Sequence, residues 1–205
     1  MDLLLEGAEK LKLDLTSLQR ERLERYISEI ELFNPIYKLV SYQDRDELII
    51  RHILDSLAGL KVFEALEGSS IADLGTGAGF PGVVLAIMLD RPIVLVERMK
   101  RRVDFLKNVI LRCNLKNVRI VSKDVSEVEE RFDIVTCRAF HPIFDIIDDV
   151  DRILSPNGVF APYKGKKSYL YSEIENLSNW DVSITNLHVP FLDEERIIAL
   201  MRKKN

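Results

Sequence analysis

Cysteine is scarce: Cys113 and Cys137 are the two thiols in a chain of 205 residues. They form no CxxC pair, which argues against a disulfide framework and a structural zinc site and leaves two reduced, buried thiols as the expectation. Long apolar runs are missing as well. No window approaches the roughly 18 uninterrupted apolar residues of a membrane span. The opening Met1-Asp2-Leu3-Leu4-Leu5-Glu6 lacks a basic start, and acid breaks its apolar run, so no secretory signal is read and a cytoplasmic location is expected. Excess base is absent too: 29 Lys and Arg against 33 Asp and Glu leave a net charge of −4, which excludes a uniformly basic nucleic-acid binder. Internal repeats and low-complexity segments are not found, so repeat architectures drop out.

What remains is ordinary globular material, 47% hydrophobic and 30% charged. That length and composition suit one domain with a full core and an appendage. Charge is unevenly spread. Bases gather in Arg98, Lys100, Arg101, Arg102, Lys107, Arg112, Lys116, Arg119 and Lys123, then at Lys164, Lys166 and Lys167, and again at Arg202, Lys203 and Lys204. A local basic face can bind phosphates on an acidic molecule, and a solvated helix face is the equally available reading of each cluster.

From Thr16 to Phe33, apolar residues recur at helical spacing, with Thr16 or Ser17 as N-cap and Asn34-Pro35 as the stop. An extended link, Ile36 to Val40, leads to a second amphipathic helix over 44–63. These residues make up an N-terminal helical extension, 1–67, packed on or roofing the core. Strands then alternate with helices over 68–205. Seven strands are predicted, at 70–74, 92–97, 118–122, 132–137, 158–163, 182–189 and 196–202. Helices fall at 81–89, 100–114, 143–154 and 168–177, with a short turn near 125–130. This pattern predicts an α/β fold with a doubly wound, mostly parallel sheet. The last two strands lack a helix between them and should form a hairpin, leaving the final strand antiparallel.

The stretch from Ile71 to Gly82 is a strand entering a glycine-rich turn and then a helix. Dinucleotide folds place glycine at positions one, three and six of such a turn. Here Gly75, Gly77 and Gly79 are followed by Phe80 in the sixth place, and Asp73 precedes them. That spacing looks like motif I of the class I methyltransferases, where the turn wraps the amino-acid end of S-adenosyl-L-methionine. Glu97 closes the second strand, where a carboxylate can accept from both ribose hydroxyls or serve the N-terminus of the following helix. Asp124 follows the third strand, placed either to accept from the adenine amino group, with the backbone of Val125 and Ser126 reading the ring edge, or to cap the short helix ahead.

The fourth strand ends in Thr136-Cys137-Arg138-Ala139-Phe140-His141-Pro142. Neither the Pro-Pro-aromatic motif of exocyclic amino methylases nor the Pro-Cys nucleophile of pyrimidine C5 methylases is present. An acceptor with no proton to lose, such as guanine N7, fits such a site, and catalysis then reduces to positioning and charge matching. Arg138 is the candidate catalytic residue, able to meet guanine O6, a phosphate or the methionine carboxylate.

The ordered set of Asn34 to Leu39, Arg51-His52-x-x-Asp55-Ser56-Leu57, Asp73 to Gly82, Lys100-Arg101-Arg102-Val-x-Phe105-Leu106, Arg138-Ala139-Phe140 and Lys164-Gly165 resembles the glucose-inhibited division protein B family over nearly the whole chain. The resemblance implies a 16S rRNA guanine-N7 methyltransferase, with 16S rRNA or the 30S subunit as partner and no membrane. It implies cofactor contacts at Gly75, Phe80, Val125, Ser126 and Arg138, with Glu97 on the ribose. It also brings Arg51 and His52 near the pocket, His52 in a structural or substrate-gating role rather than as a base. Lys164, at the end of the fifth strand, and the terminal Lys203 and Lys204 are candidates for phosphate contacts by position. The chain departs from the family at Lys38, Cys137 and Asp124, where asparagine, serine and arginine are usual. A monomer is expected. The alternatives are a class I methyltransferase of another substrate and a non-catalytic RNA- or nucleotide-binding module on the same fold.

Overall fold

A computed structural model describes residues 2–204. The sheet contains β1 (Ile71–Leu74), β2 (Ile93–Val96), β3 (Val118–Val121), β4 (Phe132–Thr136), β5 (Leu154–Phe160), β6 (Tyr163–Lys164), β7 (Trp180–Leu187) and β8 (Arg196–Lys203). Their order is β3-β2-β1-β4-β5-β8-β6, with β7 on the other side of β8. The first five strands pair in parallel, while β8 runs antiparallel to β5, β6 and β7.

The eighth strand comes from a break rather than an addition. β8 pairs with β5 through Phe160–Met201 and with β6 through Tyr163–Ile198 and Lys164–Ile197. The two short strands are thus one line of chain interrupted at Ala161-Pro162, because proline has no N–H for the ladder. Its carbonyl still accepts from Ala199 N at 3.2 Å. Counted as one broken strand, the sheet has the seven positions expected. Its fifth member begins earlier than predicted, at Leu154, which pairs with Phe132, and Ser155-Pro156-Asn157-Gly158 then bulge out before the ladder resumes at Ile134–Val159.

Every residue of β1 and β2 is buried, as a parallel sheet covered on both faces requires. Successive residues go to opposite cores. Ile71, Ile93 and Leu95 join the core beneath the N-terminal helices, α6 (Gly82–Met88) and α7 (Lys100–Arg112), whereas Ala72, Val94 and Val96 join the core of α8 (Ile143–Ile153) and the β7–β8 hairpin.

The N-terminal region departs from expectation in three places. An unpredicted helix, α1 (Leu3–Lys10), is capped by Asp2, whose carboxylate accepts from Leu4 N. The next, α2 (Ser17–Tyr37), runs through Pro35 instead of stopping before it. The bias before proline is overcome by the Asn34 side chain, which accepts from Leu39 N and Val40 N and donates to Val40 O, and by Phe33 packing on Tyr37. The helix predicted over 44–63 is present but not uniform: it runs as α3 (Arg45–Leu48), a π-helical turn (Ile49–Leu54), α4 (Asp55–Ala58) and α5 (Leu60–Ala65), with the backbone at the junctions in the right-handed helical region. π-Turns recur at functional sites, and this one carries Arg51 and His52.

Two buried tyrosines join these helices to the carboxyl end of the sheet. Tyr26 of α2 donates its hydroxyl to Ala78 O in the glycine turn at 2.9 Å. Tyr163 of β6 donates to Ser56 O at 2.9 Å and stacks on Phe63. Gly59 makes room for it: a Cβ there would lie 2.2 Å from the Tyr163 hydroxyl and 2.7 Å from Ile198 Cδ1. Gly59→Ala is therefore expected to cost about 1–3 kcal/mol through overpacking and to lower the thermal midpoint by several degrees. An unchanged midpoint in calorimetry would show that this junction yields easily.

Candidate active site

The glycine turn is tied at both ends by one carboxylate. Asp73 closes β1, and its Oδ2 accepts from Thr76 Oγ1 at 2.5 Å and from Gly82 N at 2.8 Å. Burial pushes the Asp73 carboxyl up to about 7, against the pull of those two hydrogen bonds. Its Oδ1 is buried and has no hydrogen-bond partner among the described residues. An orphaned buried carboxyl oxygen beneath a glycine turn fits a site that takes a polar ligand. Gly75 has φ 59° and lies under Phe140, where a Cβ would fall 2.0 Å from Phe140 Cδ2. Only glycine allows that ring to lie on the turn.

Phe140 and its neighbour His141, packed edge-on at 4.3 Å, stand where two cavities meet. The first, about 620 Å³, is lined by Glu97, Asp124, Val125 and the Gly75 turn, among others. Glu97 is 3% exposed, and accepts from Gly77 N at 3.1 Å and Met99 N at 2.8 Å, with Arg102 at 3.5 Å. It thus joins the turn to the start of α7. Asp124 caps a single 3-10 turn by accepting from Ser126 N and Oγ, and it pairs with Arg98 at 3.1 Å. Both Ser126 donors face Asp124, so Asp124 and Val125 form the cavity wall there.

The second cavity, about 730 Å³, brings together Arg51, His52, Phe80, Arg138 and Lys164. Arg138 leaves the end of β4 beside Tyr163. One of its terminal nitrogens donates to Asp55 Oδ2 at 2.6 Å and to Arg51 O at 3.0 Å, and the other to His52 Nδ1 at 2.9 Å. Its guanidinium lies 4.8 Å from the centre of the Phe80 ring, which also stacks on His52 and packs against Tyr26. Of five N–H donors, three are thus committed and two remain for a ligand. Asp55 is 3% exposed and also faces Arg196, whose Nε lies 3.2 Å from Oδ1 without hydrogen-bond alignment.

His52 is held neutral from both sides. Nδ1 accepts from Arg138, so Nε2–H donates to Ser41 O at 3.1 Å. Burial, reinforced by the Arg138 charge, lowers its pKa to about 4. Arg51 is spent on Glu47 at 3.0 Å and Glu194 at 2.7 Å, although its carbonyl holds Arg138. Lys164 pairs with Glu173 at 2.5 Å, and Glu173 also accepts from Ile143 N, which ties the start of α8 to α9 (Lys167–Ile174). Cys137 is 2% exposed, with burial pushing its thiol up to about 12. Arg202 to Lys204 lie at the opposite end of the sheet, where Lys203 pairs with Asp151 and Lys204 with Asp181. Among the described residues, no cluster of three metal-binding side chains occurs and no helix is long and apolar enough to cross a membrane.

Sequence reasoning passed over Tyr26, Tyr163, Glu173 and Arg196. Tyr26 fell on the apolar stripe of α2 and read as core. The other three act on partners between 9 and 141 residues away, and chain-order patterns carry no trace of such pairs.

The strand order, the turn at the end of β1 and the acid at the end of β2 define a class I methyltransferase. Solved structures agree on the fold. The ribosomal protein L11 methylase of Lactobacillus delbrueckii subsp. bulgaricus matches with a TM-score of 0.61 at 14% identity, over 81% of this chain and 91% of that one. Fibrillarin of Aeropyrum pernix, solved with natively bound S-adenosyl-L-methionine, gives a TM-score of 0.56 at 17% identity, over 73% of each chain. The particular family follows from sequence: the GidB model, rRNA small subunit methyltransferase G, matches residues 19–199, and the chain belongs to that family. Ribosomal RNA small subunit methyltransferase G of Actinobacillus pleuropneumoniae serotype 3 is 36% identical over 209 residues, covering 100% of this chain and 98% of that protein. Its namesake in Vibrio cholerae serotype O1 (strain M66-2) is 37% identical, covering 95% and 93%. The chain is accordingly an S-adenosylmethionine-dependent methyltransferase.

A histidine held below its ordinary 6.5 opposes folding once the unfolded chain takes up the proton, so its effect is absent above pH 6.5 and grows as pH falls toward about 4. Wild-type protein should therefore lose stability between pH 6.5 and 4 more steeply than His52→Gln. Parallel denaturation curves across that window would overturn the neutral assignment of His52.

Proposed function

We propose that this enzyme methylates guanine N7 in 16S rRNA, acting as a cytoplasmic monomer on naked rRNA or the 30S subunit. The observation that carries the reading is the guanidinium at the end of β4, fixed by Asp55 and His52 in the place where other nucleic-acid methylases present a proton acceptor or a nucleophile. Full-length relatives named as small-subunit rRNA methyltransferases support the substrate class.

The residues present fit S-adenosylmethionine. Glu97 would accept from the ribose hydroxyls, Asp124 and Val125 would meet the adenine edge, and the Gly75–Gly79 turn with Phe80 would hold the amino-acid end, above the orphaned oxygen of Asp73. When bound, the cofactor supplies an electrophilic methyl group on a sulfonium. Guanine N7 offers a lone pair and no proton, so methyl transfer there would need no base, and the positive charge of the sulfonium would end on the purine. The protein then needs to align the base and exclude water. His52 cannot serve as a base, since both its nitrogens are engaged, and Cys137 is too deeply buried and protonated to attack. The two free donors of Arg138 can meet the methionine carboxylate or guanine O6, and must leave N7 itself free. Arg51 would reach an rRNA phosphate by releasing Glu194 while keeping Glu47, and Lys164 would lend its charge to the same wall while staying paired with Glu173.

The reading is tested by incubating the enzyme and labelled cofactor with undermodified 30S subunits and with naked 16S rRNA, then mapping label by borohydride and aniline cleavage. Label at a guanine N7 is expected, and label at any other atom would overturn it. Arg138→Lys, which keeps the charge and loses the fork, should lower turnover at least a hundred-fold. His141→Ala should leave turnover within a few-fold, because the exposed His141 imidazole has no proton to take. Loss of turnover in His141→Ala with the affinity for S-adenosylhomocysteine unchanged would favour a mechanism with a general base.

A further inference from the structure

We propose that Tyr169 is the platform on which the acceptor base stacks once it has left the RNA helix, an inference that rests on the rRNA reading above. Tyr169 lines the same cavity as Arg138, Phe80 and Phe140, yet its side chain is 63% exposed. An aromatic ring that borders this mostly apolar cavity and faces water offers a free flat face. A purine is the flat partner that such a ring takes.

The ring is held rather than loose. Tyr169 sits on α9, which is anchored from beneath by Leu170, fully buried. One turn further on, Glu173 ties α9 to Lys164 at 2.5 Å and to Ile143 N at 2.8 Å, so the helix is fixed to the segment that follows Arg138. Lys166 Nζ lies 5.9 Å from the ring centre, placing positive charge where a phosphate flanking the extruded nucleotide would run. Beside it, Gly165 borders the cavity, and a Cβ built there would meet nothing within 4 Å, so the approach is open. The aromatic pair Phe140 and His141 lines the cavity as well, next to the glycine turn. Between them, Tyr169 supplies the face, Arg138 the hydrogen-bond donors and the turn the methyl side.

Base–aromatic stacking lost by truncation to alanine weakens the interaction about ten- to a hundred-fold, and extrusion of the base carries that loss into turnover. With saturating 30S subunits, Tyr169→Ala should lower kcat about ten- to a hundred-fold. Its Kd for 30S subunits and its Kd for S-adenosylhomocysteine should stay within two-fold of wild type, because phosphate contacts and the cofactor cavity are untouched. Tyr169→Phe should restore kcat, since the ring is kept. Normal turnover in Tyr169→Ala, or equal loss in the alanine and phenylalanine variants, would overturn the stacking role. A fall in cofactor affinity alongside turnover would also overturn it, by revealing a collapsed site. Wild-type enzyme that labels neither 30S subunits nor 16S rRNA would sink the rRNA reading itself and take this inference with it.

Discussion

A single buried carboxylate, Asp55, holds three parts of the molecule in register. It belongs to the N-terminal helices, Arg138 to the end of the central strand β4, and Arg196 to the start of the antiparallel strand β8. An unpaired carboxylate at that depth would be costly, and so would either guanidinium alone. The charge-assisted hydrogen bond from Arg138 fixes its side of this junction more firmly than apolar contact would, and Arg196 adds its charge on the other side at 3.2 Å. Glu194 extends the network outward by bridging Arg51 and Arg196.

The same economy explains the character of the site. Its charges are nearly all spent on one another: Lys164 on Glu173, Arg51 on Glu47 and Glu194, Arg98 on Asp124. A methyl acceptor that keeps no proton asks for alignment, and a prearranged set of dipoles and ions aligns without reorganising during reaction. The Phe80 ring is the hub of that arrangement, touched by Tyr26, His52 and Arg138.

Local signals in the chain were legible to the extent that they are local. The glycine spacing marked the tight turn after β1, where Gly75, Gly77 and Gly79 all have positive φ, since backbone conformation and close approach are written in neighbouring residues. Strand and helix alternation gave the sheet, and the family motifs gathered Arg51, His52 and Arg138. What stayed hidden was whatever tertiary structure decides. Pro35 sits inside a helix because Asn34 folds back to cap the exit, and the helix over 44–63 widens into a π turn that carries His52. The basic appearance of Lys164 and of Lys203 and Lys204 concealed carboxylate partners 9, 52 and 23 residues away.

The bond from Tyr26 to Ala78 has a bearing on how such an enzyme can diversify. Helical extensions on this sheet look like interchangeable modules that could be traded to acquire new substrates. Here the extension supplies the strut under the ligand turn, the imidazole behind the guanidinium and the anion that seats it. Replacing it would dismantle the reaction centre along with the specificity. Variation without such damage is confined to the exposed rim and to the outward faces of α2 and α7, so new substrates in this lineage would be reached by repainting the doorway rather than by changing the roof.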